Sequence, residues 1–195
     1  MNGRVVKVAI TGTHSTGKST FLNELGPQLE EMGLKVARIG DIPRAAAALG
    51  FPILRDHTFE STLWIIEECM RQEAAASLGS DVILVDRPVI DALGYLRAAL
   101  RLTRRQISPS QLEALATIVK THAPEYDVLI ETRLDENIPL GPGRDQDPDF
   151  RRSAASHIQE LVSQLVPSAL YMTASNRAEV LNSTFALVSG LRAPR

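Results

Sequence analysis

The chain has 195 residues, 44% of them hydrophobic, and a formal net charge of −2. That is apolar material for one core, read as a single domain over 1–195, with no basic surplus for wide contact with a nucleic-acid backbone. Cys69 is the sole cysteine, which excludes an internal disulfide and suits a reducing cytoplasm. No apolar run approaches the ~20 residues that span a bilayer, and the opening residues do not read as a signal peptide. A soluble, cytoplasmic protein is expected.

The first predicted element is a buried strand over 4–11, a short β-branched run. Directly after it comes Gly12-Thr13-His14-Ser15-Thr16-Gly17-Lys18-Ser19, followed by Thr20. This is the G-x-x-x-x-G-K-[ST] spacing of a phosphate-binding loop. Phe21, Leu22, Leu25, Leu29 and Met32 then share a helical face, and Gly33 stands where a left-handed cap belongs. Strand, glycine loop and helix are the order the chemistry needs, because loop amides and the positive end of the helix converge on one anion. Lys18 is expected to be an exposed contact to the β/γ-phosphates, with the Ser19 hydroxyl on Mg²⁺.

Further along, 34–40 reads as a second strand and 57–78 as a long helix with Phe59, Leu63, Ile66, Met70 and Ala74 on its buried stripe. A third strand is predicted over 81–86. A helix opens at Pro88 and runs to about Leu102. Ser108-Pro109-Ser110-Gln111 is a capping box launching a helix to about His122. A fourth strand follows over 126–131. Residues 135–149 hold three Pro and two Gly among many charges and show no periodicity; a loop this long is functional or disordered. A helix through Phe150, Ala154, His157, Leu161 and Leu165 and a weaker strand over 168–173 complete the reading. Alternating strands and helices predict an α/β fold: a five-stranded parallel sheet with helices on both faces and a lid after the fourth strand.

Phosphoryl transfer also needs an acid near the metal, positive groups around the moving phosphoryl and a group that orients the acceptor. In a parallel sheet these lie at the carboxyl ends of strands, where Asp41, Asp86 and Glu131 fall. Asp86 ends Val82-Ile-Leu-Val and either holds Mg²⁺ or caps the Pro88 helix; Arg87 beside it is a candidate for substrate or phosphate. Asp41 either faces the acceptor hydroxyl as orienting group or base or caps a helix, and Arg44 could clamp an anionic group. Asp91, one helical turn past Arg87, is expected to be an ordinary exposed acid. Around the 135–149 loop, Arg133, Arg144, Arg151 and Arg152 form either the arms of a lid over the triphosphate, with Arg144 foremost, or a solvated charged loop balanced by Asp145, Asp147 and Asp149. Trp64 reads as core or pocket wall, with a base-stacking platform as the alternative. His57, His122 and His157 show no metal-ligand spacing, and Cys69 no nucleophile constellation.

Gly12–Thr20, Asp41-x-x-Arg44, Val85-Asp86-Arg87-Pro-x-x-Asp91 and Gly143-Arg144-Asp-x-Asp-Pro-Asp-Phe-Arg151 recur in that order in one group. Over nearly its whole length the chain resembles AAA-type P-loop ATPase/kinase domains similar to the ribosylnicotinamide kinase part of the bifunctional NAD regulator. It is similar, more distantly, to thymidylate and deoxynucleoside kinases. The resemblance implies Asp41 and Arg44 at the acceptor, Asp86 and Arg87 beside the phosphates, and Arg144 on the lid. Position 41 is Asp where the group would have Glu, and Gly-Pro-Gly precedes Arg144 in place of an acidic Asp-Gly pair. The expected function is a kinase moving the γ-phosphoryl of ATP, with Mg²⁺, onto a small hydroxylated acceptor such as a nucleoside or nucleotide. The alternatives are an NTPase switch that binds a partner and a polynucleotide 5′-hydroxyl kinase. Partners are then a small-molecule acceptor and no membrane, with a homodimer allowed.

Overall fold

A computed structural model describes residues 4–135 and 147–192. Among them, five strands form one all-parallel sheet in the order β2-β3-β1-β4-β5. Strand β1 (Val6–Thr11) runs into the glycine loop, and α1 (Lys18–Glu31) leaves it. The helix ends where Gly33 turns left-handed (φ +81°). There the Gly33 N–H donates to the Glu30 carbonyl at 2.8 Å and the Leu34 N–H to the Leu29 carbonyl at 3.3 Å, the paired bonds of a Schellman cap. After it come edge strand β2 (Val36–Ile39), α2 (Ile42–Ala48), a 3-10 turn (Leu54–Asp56), α3 (Phe59–Ala76) and β3 (Val82–Asp86). The second half holds α4 (Val89–Thr103), α5 (Pro109–His122), β4 (Val128–Thr132), α6 (Pro148–Leu165), β5 (Leu170–Met172) and α7 (Arg177–Arg192).

β1 lies between β3 and β4, with Val8 opposite Leu84 on one side and Val128 on the other. Both faces of the sheet are covered, so its strands read as continuous apolar runs. Val6, Val8 and Ile10 pack with Phe21, Leu25 and Leu29 of α1 and Val188 of α7. Ala9, Ile83 and Val85 pack on the other face, under α3, α4 and α6. The predicted capping box of α5 is present, with Gln111 N–H to Ser108 Oγ at 3.2 Å and Ser108 N–H to Gln111 Oε1 at 3.0 Å.

Three features differ from the sequence reading. α2 and α7 form where no element was predicted. In α7 the buried Val180, Leu181, Thr184 and Val188 are interleaved with polar residues that flatten the periodicity. The buried face of α3 is also rotated: Thr62, Ile65, Ile66, Cys69 and Glu73 point inward. Phe59, Leu63 and Met70 only flank that core, and Ala74 is exposed. That face carries Glu73, a buried acid held from other elements by His122, Tyr126 and Lys7.

Candidate phosphate-binding and transfer site

The loop between β1 and α1 is tied down by short polar side chains. Gly12 has φ +131°, and a Cβ there would lie 2.1 Å from Thr132 Oγ1 and 2.9 Å from its carbonyl; only glycine fits. Thr132, at the end of β4, donates to the Thr11 carbonyl at 3.0 Å and meets the Thr16 hydroxyl at 2.6 Å. The His14 N–H donates to Tyr95 Oη at 3.1 Å. Gly17 is left-handed and no side chain caps α1, so the first amides of the helix have no partner within it and open toward the cleft. Contrary to expectation, Lys18 is not an exposed contact: it is 4% exposed, and its ammonium donates to the Thr13 carbonyl.

Asp86 is not a helix cap, since α4 starts at an N-cap Pro88 with no side-chain bond. Its Oδ2 accepts from the Ser19 hydroxyl at 2.6 Å, while Oδ1 is buried without a hydrogen-bond partner. A hydroxyl and a carboxylate side by side at a phosphate-binding loop are hard oxygen donors suited to Mg²⁺. Among the described residues no cluster of three His, Cys, Asp or Glu forms a metal cage. Mg²⁺ at nucleotide sites is held by one or two protein ligands plus phosphates, so the residues fit that ion.

Asp91 is buried, 3% exposed, and not the exposed acid expected. It takes the Thr11 hydroxyl and, at 3.2 Å, the Gly12 N–H on Oδ1. Burial raises its pKa, while Lys18 and Arg87 pull it back. It is therefore a positioning group for the first turn of the loop. The signal was present in α4, whose Val89, Ile90, Ala92 and Leu93 are apolar all round, the mark of a buried helix. Arg87 donates to Tyr95 Oη at 3.1 Å and lies over its ring. Burial opposes its charge, yet Tyr95, Asp91 and Asp86 shift its pKa upward on balance.

These groups open into one cleft of about 770 Å³. Its second half is lined by Asp41, Arg44, Ile53, Leu54, His57 and Ile65. Asp41 and Arg44 are exposed at the mouth, and the Asp41 side chain does not cap α2. Five described non-glycine residues have positive φ, Ser15, Asp41, Leu54, Arg87 and Arg104, and all but Arg104 line this cleft. Backbone held in so sparsely populated a region concentrates at functional sites. At the start of α6, Arg151 is 6% exposed and reaches the Ser15 carbonyl at 3.4 Å. Arg152 pairs with Asp149, and Arg133 lies over the Tyr171 ring at 4.5 Å. Arg144 and most of the predicted lid fall outside the described residues. Trp64 is half-buried against Phe51, ring centroids 5.5 Å apart. Cys69 is buried, and burial first, then Glu73, pushes its thiol pKa up, which rules against a nucleophile.

Sequence reasoning thus missed Thr132, Tyr95, Asp91 and His57. Each acts through a neighbour brought in by another element, which no local spacing reveals.

No curated protein matches the chain. Among solved structures, deoxyadenosine kinase from M. mycoides superposes with a TM-score of 0.62 at 14% identity, covering 93% of this chain and all of that one. The NadR protein superposes with a TM-score of 0.68 at 11% identity over 98% of this chain, which spans only 53% of NadR. At such identities these likenesses establish the fold, an α/β P-loop fold shared with nucleoside kinases. The AAA domain family matches residues 7–171, and the chain belongs to that family.

Proposed function

We propose that this protein is a P-loop kinase that moves the γ-phosphoryl of ATP onto a hydroxyl of a small acceptor, a nucleoside, nucleotide or related metabolite. The observation that carries the reading is the two-ended cleft. One end is the phosphate loop with the Ser19–Asp86 pair; the other end of the same cleft has Asp41 and Arg44 at its mouth. An NTPase switch has no use for the half of the cleft beyond the phosphates. The P-loop kinases that superpose on the chain support the same reading.

In this reading the amides of the loop and of the α1 N-terminus hold the phosphates, with Lys18 pivoting off the Thr13 carbonyl onto them. Ser19 and Asp86 would hold Mg²⁺, which supplies charge neutralisation between the phosphates when bound. Asp41 orients the acceptor hydroxyl and takes its proton as the new O–P bond forms and the bond to the ADP oxygen breaks. Arg87, fixed by Tyr95, and Arg151, over the loop, offset the charge that spreads across the transferring group. Arg144 is proposed to join them from the lid segment.

The test is to measure acceptor-dependent ADP release and acceptor-independent hydrolysis in Asp41→Asn. Transfer is expected to fall by about 10²–10⁴, far more than hydrolysis. ADP release that no nucleoside or small alcohol stimulates in the unaltered protein overturns the kinase reading in favour of the switch. Phosphorylation of oligonucleotide 5′-ends alone replaces the acceptor class.

A further inference from the structure

His57 is 3% exposed, yet it lines the acceptor half of the cleft. It follows the 3-10 turn Leu54–Asp56, and its Nδ1 lies 3.0 Å from the Leu54 carbonyl oxygen. A carbonyl can only accept, so Nδ1 carries the proton, and in the neutral ring Nε2 is an acceptor and nothing else. Among the described residues Nε2 has no hydrogen-bond partner, nor is it one of the sealed-off polar atoms. The ring is neutral near pH 7: burial lowers its pKa to about 4, and the Arg87 and Arg105 charges act in the same direction.

The turn that presents this nitrogen is built against its own backbone preference. Leu54, a bulky residue, is left-handed with φ +58°. From outside, the Arg105 guanidinium donates to the carbonyls of Arg55 at 2.9 Å and His57 at 3.0 Å. Arg55 in turn pairs with Asp147, the N-cap of α6. On the inner side the imidazole leans on Tyr95, ring centroids 5.9 Å apart. A strained, externally clamped turn that holds one unpaired acceptor at a cavity wall is the form of a recognition element.

We infer that His57 is the specificity-determining residue of the acceptor pocket, its Nε2 accepting a hydrogen bond from an N–H donor on the base of a nucleoside acceptor. The inference rests on the kinase reading and adds to it the chemistry of the acceptor's far end. The base is assigned to this end because the apolar residues Ile53, Leu54, Ile65 and Ala92 line the cleft with His57. Asp41, Arg44 and Arg87 form the polar end, which suits a ribose and its phosphate. A buried acceptor left unpaired costs free energy, so a base lacking the donor is rejected.

The experiment uses two matched pairs as phosphoryl acceptors with ATP and Mg²⁺: cytidine with its 4-deamino analogue, and adenosine with purine riboside. For the pair the unaltered protein phosphorylates, kcat/KM is expected to favour the amino-bearing member by about tenfold or more. His57→Phe keeps an aromatic ring there and removes both nitrogens; the preference then collapses to within about twofold, with the loss seen in acceptor KM more than in kcat. His57→Gln, whose amide oxygen can accept, restores part of it. Equal or reversed preference in the unaltered protein, which needs no variant to fold, overturns the inference. So does a preference that survives His57→Phe. Transfer to no nucleoside at all overturns the kinase reading itself, and this inference with it.

Discussion

Lys18 shows how a residue's surroundings change what its removal does. Read from the motif, it is an exposed hook for phosphate; in the fold it is buried, hydrogen-bonded to its own loop and acting on the Asp91 carboxylate. Lys18→Ala therefore has two expected effects. Turnover falls by about 10²–10³, and the fold loses about 1–3 kcal/mol because a buried acceptor and a buried acid lose their cation. Steady-state ADP release and urea denaturation measure the two separately. A variant with full turnover removes Lys18 from the phosphate site; one with unchanged stability removes it from the scaffold. Ser19 and Asp86, a motif residue and a strand-end acid, meet at 2.6 Å.

At the scale of elements, buried side chains tie α3 to α5 and to β1. Glu73 of α3 accepts from His122 Nε2 at 2.9 Å and from Tyr126 Oη at 2.9 Å, and pairs with Lys7 Nζ at 3.0 Å. Burial works to raise the Glu73 pKa, but His122 and Lys7 prevail and it lies below its ordinary 4.5. A depressed carboxylate stabilises the folded chain fully above the unfolded value, and that stability is lost as pH falls below about 4.5 toward the folded value. Glu73→Gln is expected to cost about 3 kcal/mol at pH 7 and to flatten the acid limb of a stability–pH curve; an unchanged limb would contradict this account. α4 and α6 meet closely at Gly94, where a Cβ would stand 2.5 Å from Ile158 Cγ1 and 3.3 Å from its backbone nitrogen. Gly94→Ala is expected to cost about 1–3 kcal/mol in thermal denaturation, because the Ile158 backbone and the Cγ1 next to its branch point cannot both retreat.

These elements also divide what could be read in advance from what could not. Strands β1, β3 and β4 and the ends of α1 and α5 follow from local rules: apolar runs, a left-handed glycine, a reciprocal cap. The inward face of α3 does not, because Glu73 scores as polar until His122, Tyr126 and Lys7 are placed around it. The candidate site divides likewise. The residues of the glycine loop and Asp86 are visible as spacing, whereas Asp91, Thr132 and His57 matter only through contacts made across 48 to 121 positions of chain.

The whole molecule is arranged around β1, whose partners come late: β3 ends at Asp86 and β4 begins at Val128. The strand order encloses the earliest of the described strands in the middle of the sheet. During synthesis β1 therefore leaves the ribosome with two apolar faces and two unpaired edges, and its second neighbour does not exist until Val128 and the residues after it are made. Such delayed, non-local pairing folds slowly and exposes a sticky edge meanwhile. A nascent chain halted at residue 125 is expected to remain protease-sensitive and to bind no nucleotide, while one extended past Arg192 becomes resistant. Protection of the shorter fragment would mean that β3 alone shelters the strand.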